Sequence, residues 1–199
     1  KLIATAIDKK SKYTGGHCER VPEICMMLAE AVEKINYGKY KNFTMTEDER
    51  YELFIAAWLH DCGKVATPVH VVDKSTKLET ITDRIEVIDT RFELIKRDFE
   101  NKFWKESADG KNPSAKDLKN HLKKINDDRD FIRRINIGGE YMEKVDQDKI
   151  VEISEKYKWK NSQEEVVDFF TEIEIRNLQI AKGTLLPEER EIINDHISI

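Results

Sequence analysis

Glycine and proline are scarce in this chain, at 8 and 4 of 199 residues. The backbone is therefore seldom interrupted, and the few turns stand out. Cysteine is scarcer still. Cys18, Cys25 and Cys62 are scattered without a CxxC spacing. That excludes a disulfide framework and suits free thiols in a reducing cytoplasm. No apolar stretch approaches the length of a membrane span, and no secretory leader is visible. Basic residues are not in excess: Lys and Arg number 34 against 39 Asp and Glu, a net charge of −5. A general basic footprint for duplex nucleic acid is therefore missing. There is no internal repeat and no convincing strand alternation.

What is present is charge and helical periodicity. The chain is 37% charged yet 39% hydrophobic, which favours a helical protein with wide solvated faces over a disordered one. Its length allows one large domain, or a core with a sizeable insert. It begins at Lys1 without Met and stops at Ile199 inside a helical pattern, so the expectation is a piece of a longer protein.

Lys1 to Lys10 resembles the end of a helix entering from upstream, and Ser11 to Gly16 a turn. From His17, apolar residues at Val21, Ile24, Met27, Leu28, Ala31, Val32 and Ile35 predict a helix that Gly38 closes. Thr46-Glu47-Asp48-Glu49 is a capping-box pattern, and the helix it opens runs to His60. Pro68 bars an easy continuation, and residues 69 to 78 read as an irregular loop or short turn. A different texture begins near Thr80. Ile81, Ile85, Ile88, Phe92, Ile95, Phe99 and Phe103 recur every three or four residues among charges. Asp109-Gly110 and Asn112-Pro113 break this seam, and Leu118, Leu122, Ile125 and Ile132 begin another. An antiparallel helical hairpin is expected, either packed on its own domain or standing out as an arm for a partner or a second copy. A further helix is expected from Gly138-Gly139 to about Tyr157, then apolar material from Trp159 to Ile175 packed back on the core. Gly183-Thr184-Leu185 is a loop. Pro187 fits a first helical position, with Glu188 and Glu189 suited to the helix dipole. This last helix is expected to run towards Ile199 and to carry His196. The fold class is all-α.

The chemistry concentrates in Trp58-Leu59-His60-Asp61-Cys62-Gly63-Lys64-Val65-Ala66. A His-Asp doublet ends an apolar run. The imidazole and carboxylate can share a divalent metal, the glycine lets the helix stop, and Lys64 sets a cation near any phosphate on that metal. The other reading of His60-Asp61 is a structural hydrogen bond, and of Lys64 a solvated helix-end cation. Only five histidines exist: His17, His60, His70, His121 and His196. His17 opens one helix and His196 follows Asp195 on another. A metal site in a helical bundle draws ligands from facing helices. Imidazole plus carboxylate suits Fe, Mn or Zn better than Ca. A bridging Asp would let two metals clamp a phosphate and sharpen a bound water into hydroxide, with no side-chain nucleophile required. Cys62 is read as a bystander, Arg20 as a helix-surface ion pair, His70 as a loop residue near the site, and His121 as a surface residue of the insert.

Tyr13-Thr14-Gly15-Gly16-His17-Cys18-Glu19-Arg20-Val21 resembles the first helix motif of HD-GYP domains, a branch of the HD phosphohydrolase superfamily. Leu59 to Val65 resembles the HDxGK motif, and Gly183 through Asp195-His196 resembles the helix supplying the next metal histidine. The resemblance implies an HD helical bundle in which residues 1–83 and 183–199 form the core and residues 84–182 a long charged helical insertion. It implies two or three divalent metals, with Fe or Mn favoured and Zn, Mg or Ni as alternatives. His17, His60, Asp61 and His196 would be ligands. Asp61 would bridge metals and orient the hydroxide, and Lys64 would bind substrate phosphate. The implied activity is hydrolysis of a cyclic dinucleotide, cyclic di-GMP foremost, in a protein attached to an upstream sensory or receiver region. The chain departs from the pattern at Tyr13, where trinuclear members carry Glu, which favours two metals. The HHE and GYP motifs would lie beyond Ile199, so the chain as given is expected to lack ligands and activity of its own. Residues 84 to 182 have no counterpart in the compact pattern. Two alternatives stay open: a general HD nucleotide phosphohydrolase, and a signalling scaffold that recruits partners through the insert.

Overall fold

The computed structural model describes residues 16–139 and 141–195. The chain divides into two compact units, residues 1–73 with 187–199, and residues 74–186.

The first unit contains α1 (His17–Glu33), a 3-10 turn at Gly38–Tyr40, α2 (Glu47–Leu59), a 3-10 turn at Cys62–Val65, and the single-turn helix α3 (Val69–Val72). The last described helix of the chain belongs to the same unit. It runs Pro187–Asn194, starting at the expected proline, and is in contact with α3. α2 begins where the sequence predicts: the Thr46 hydroxyl accepts the Glu49 amide while the Glu49 carboxylate accepts the Thr46 amide. α1 stops at Glu33, earlier than Gly38. Its carboxylate reaches forward to accept the Met45 amide at 2.7 Å and the Arg50 guanidinium, which ties the end of α1 to the start of α2.

The second unit is built around α4 (Ile85–Ala108) and α5 (Ala115–Asn136). Asp89 pairs with Arg133 at 2.5 Å and Glu93 with Arg129 at 3.3 Å, and Phe99 stacks on His121, so the two helices run antiparallel as the paired seams predict. Their inner positions, Ile88, Phe92, Ile95, Ile125 and Ile132, are buried. They pack with α6 (Lys144–Lys156) and α7 (Glu172–Leu178) into one core, not as a bare arm. The seam starts later than the sequence suggests. Ile81 is 90% exposed because Thr80 to Asp83 form a tight turn, closed by the Glu79–Asp83 bridge, before the helix begins. α6 likewise starts at Lys144 and not at Gly138, whose φ of 70° lies in the left-handed region. Residues 74–83, grouped by the sequence reading with the first segment, hydrogen-bond within this unit: the Lys77 amide donates to the Asn136 carbonyl and the Leu78 amide to the Asn136 side chain, both at 2.8 Å.

Among the described residues the fold is helical, as expected, with one two-stranded feature that the sequence pattern does not reveal. Lys158–Lys160 (β1) and Val166–Asp168 (β2) form a two-stranded antiparallel hairpin, with Trp159 opposite Val167. Three residues per strand are too few to show a period of two. The hairpin brings Phe169 against Phe92, with ring centroids 4.5 Å apart, and Tyr157 packs on both rings. Beside them Arg91 forms a two-pronged pair with the buried Glu174, at 2.7 and 3.2 Å. Arg91 also donates to the Phe169 carbonyl at 2.9 Å.

Among the described residues no helix is long and apolar enough to cross a membrane.

Candidate metal centre

Gly16 makes the first helix start where it does. Its φ of 73° is the left-handed conformation that a side chain resists. The chain turns there and enters α1 with His17 as its first helical residue. At the other side of the site α2 ends, His60 forms its C-cap, and Asp61 leaves the helix at φ −107°. The following 3-10 turn folds Lys64 back over Asp61: the Lys64 amide donates to the Asp61 carbonyl at 3.0 Å. Gly63, in that turn, is buried. Behind the site Trp58 packs against the fully buried Cys18 and joins the two helices.

Forty-three residues apart in sequence, His17 and His60 place their Nε2 atoms 3.3 Å from each other. Asp61 Oδ2 lies 3.3 Å from His60 Nε2 and 3.5 Å from His17 Nε2. The three atoms form a nearly equilateral triangle. Metal–imidazole bonds of about 2.0–2.1 Å require neighbouring ligand atoms roughly 3.0–3.4 Å apart, so this triangle matches one face of a coordination polyhedron. His17, His60 and Asp61 are the group of described residues that could hold a metal ion.

The tautomer of His60 fits that use. Its Nδ1 lies 2.7 Å from the Ala57 carbonyl, which can only accept, so Nδ1 carries the proton. In the neutral ring Nε2 then presents its lone pair to the triangle. The sequence could not flag Ala57, because its contribution is a backbone oxygen.

Asp61 is buried, with 5% of its surface exposed. Burial resists its ionisation, but the Lys64 ammonium at 2.8 Å outweighs this, with help from His60 and His17. The carboxyl is held below its ordinary range and is therefore a ready anionic donor. Lys64 thus lies on the same carboxylate oxygen that faces both imidazoles. The bland reading of Lys64 as a solvated cation does not hold in this arrangement.

The structure brings together His17, His60, Asp61 and Lys64. It does not add the other candidates. His70 is exposed on α3 and outside the metal-capable group, and Cys62 is exposed. The Arg20 guanidinium folds back towards Gly16. His121 belongs to the second unit, where its Nδ1 lies 2.8 Å from the Asp117 carbonyl. His196, like Tyr13 and the residues before Gly16, lies outside the described residues.

The HD-domain family profile matches residues 14–151, a span that includes the doublet, α4 and α5. The chain is 30% identical over 77 residues to the 3'3'-cGAMP-specific phosphodiesterase 1 of Vibrio cholerae, covering 39% of this chain and 15% of that protein. It is 35% identical over 77 residues to the 3'3'-cGAMP-specific phosphodiesterase 2 of the same organism, covering 39% of this chain and 13% of that one. The match therefore spans only about a seventh of the length of these relatives. No solved structure matches the chain.

Proposed function

The chain belongs to the HD-domain family, and from that premise we propose that it is a metal-dependent phosphohydrolase whose centre is the His17, His60 and Asp61 triangle. The observation that carries this is the triangle itself: two imidazole nitrogens and one carboxylate oxygen at 3.3–3.5 Å, with the His60 proton committed to Ala57. Hard and borderline donors of this kind suit Fe, Mn or Zn. A bound divalent cation supplies Lewis acidity towards a phosphoryl oxygen and makes water nucleophilic at neutral pH.

The protein's own groups do the rest. His60 and His17 direct their Nε2 atoms to one point. Asp61, kept ionised, brings the negative charge. Lys64 neutralises that carboxylate and is proposed to direct a proton to a phosphate oxygen of the substrate once the carboxylate engages a cation. His196 is proposed as a further ligand, and a second metal shared through Asp61 is part of the same proposal. The substrate class proposed is a cyclic dinucleotide. The names of the two relatives support this, and they broaden the candidates from cyclic di-GMP to include 3'3'-cGAMP.

The test is turnover of 3'3'-cGAMP and cyclic di-GMP by the native-length protein loaded anaerobically with Fe(II) or Mn(II), beside Asp61→Ala, with metal content measured on both. Turnover and metal both lost in the variant support the reading. Metal bound without turnover of either nucleotide overturns the substrate class and moves the assignment to another phosphoester or to a scaffold. A wild-type protein that binds no metal overturns the centre itself.

A further inference from the structure

The second unit buries a lysine. Lys77 is 1% exposed, yet no carboxylate among the described residues lies within ion-pairing distance of its ammonium. Its Nζ donates to the Leu178 carbonyl at 3.2 Å, which caps the end of α7, and among the described residues its other polar partner is the Met142 sulfur at 3.9 Å. An ammonium has three protons, and a buried charge left without a counterion is costly.

Lys77 lines a cavity of about 340 Å³, at the small end of the ~300–1,000 Å³ range of small-molecule pockets. Arg134 and Asp146 line it too, and neither forms an ion pair with a described residue. Among the described lining residues two cations and one anion share the cavity: Lys77 keeps part of its donor capacity beyond the bond to Leu178, the Arg134 guanidinium lies over the Phe131 ring, and Asp146 has no side-chain ion pair with a described residue. Gly138 and Gly139 are part of its lining. A Cβ at Gly138 would meet the Gly183 carbonyl oxygen at 2.8 Å, so this loop packs closely on residues 183–184, whereas a Cβ at Gly139 would meet nothing within 4 Å. Among the described lining residues Lys77 and Arg134 exceed Asp146 by one charge, which favours an anion, and Asp146 favours one with a hydrogen-bond donor beside its acid group.

We propose that this cavity binds a small organic acid bearing a neighbouring hydroxyl or ammonium group, with Lys77 and Arg134 holding the acid and Asp146 the donor. It is separate from the metal centre, since every lining residue belongs to residues 74–186. Burial draws the Lys77 pKa down to about 8, with Asp146 opposing. The ammonium is thus still mostly charged at neutral pH and gains from a bound anion.

Three-carbon probes separate the contributions: L-serine, glycerate and propionate, titrated calorimetrically into the full chain. L-serine or glycerate should bind at least about tenfold more tightly than propionate. Arg134→Gln, at an exposed position that leaves the core intact, should weaken binding about tenfold. Lys77→Met should abolish it. Asp146→Asn should erase the preference over propionate. Asp61→Ala should bind as the wild type does. If Lys77→Met does not fold, Arg134→Gln and Asp146→Asn still decide. No binding of L-serine or glycerate at millimolar concentration overturns the proposal. So does binding indifferent to Arg134→Gln and Asp146→Asn, or binding lost in Asp61→Ala.

Discussion

The ring of His60 is hydrogen-bonded through Nδ1 to the carbonyl of Ala57, three residues back on the same helix. That bond fixes the orientation of the imidazole and leaves Nε2 as the donor atom facing His17 and Asp61. On the proposed ligand set, replacing His60 by Ala removes a ligand and not merely a support. Affinity for Mn(II) or Zn(II) is expected to fall by more than about 100-fold, beyond the cost of losing an outer-shell hydrogen bond. Metal titration by calorimetry checks this, and an affinity within a few-fold of the wild type would remove His60 from the ligand set.

Lys64 competes for the Asp61 oxygen that a cation would need. Lys64→Met is therefore expected to leave metal affinity unchanged or raised while KM for the phosphoester rises about tenfold, roughly 1.4 kcal/mol. Parallel metal titrations and steady-state kinetics separate the two effects. A large loss of metal affinity would show that Lys64 serves to preorganise Asp61.

Gly16 turns the chain at φ 73° into the helix that begins with His17. Gly16→Ala forces a Cβ into that conformation and to within 3.1 Å of the Arg20 guanidinium. A destabilisation of about 1–2 kcal/mol is expected, together with weaker metal binding because His17 is displaced. Urea unfolding and metal titration of the variant test the two consequences independently.

In the second unit, Glu174 carries a pH signature. Burial raises its pKa, but the Arg91 guanidinium and the Thr171 amide and hydroxyl outweigh that, so the carboxyl is held below its ordinary value of 4.5. A carboxyl depressed on folding stabilises the protein above its unfolded pKa, and this contribution is lost as pH falls through the lower folded value. Stability should therefore decline below about pH 4.5, and Glu174→Gln should flatten that decline. At pH 7 the same variant breaks a buried pair and should cost about 3–5 kcal/mol. Urea denaturation across acidic pH provides both readings.

Lys77 titrates on the alkaline side. Its folded pKa of about 8 lies below its ordinary 10.5, so between those values the unfolded chain holds more protons than the folded one. Stability contributed by the neutral amine is full above the unfolded pKa and is lost as pH falls through about 8. The protein is expected to gain stability as pH rises from 8 to 10.5, against the usual alkaline loss. Lys77→Met should remove that gain in denaturation curves measured over this window.

Much of the helical layout was legible because its signals are local. Thr46 and Glu49 cap each other across one turn, and Pro187 starts a helix whose first amide needs no partner. The paired seams of α4 and α5 repeat at the helical period, so their pairing followed from apolar spacing. The strands at Lys158–Lys160 and Val166–Asp168 escaped because each is shorter than the pattern that would reveal it. The buried state of Lys77 escaped for a different reason: the residue type argues for solvent, and only the packing of Met142 and Leu178 around it reverses that.

By itself the sequence determined which chemistry is available: an adjacent His-Asp doublet, a following lysine, a second histidine opening a helix, and almost no thiol to compete with them. Tertiary structure alone decided that His17 and His60 meet at 3.3 Å across 43 residues of chain. It also decided that Lys64 rests on Asp61 and that Ala57 holds the proton of His60. The physical reason is range. Caps, breaks and periodicities act within a few residues and can be read along the chain, whereas a triangle of donor atoms exists only once two helices have packed.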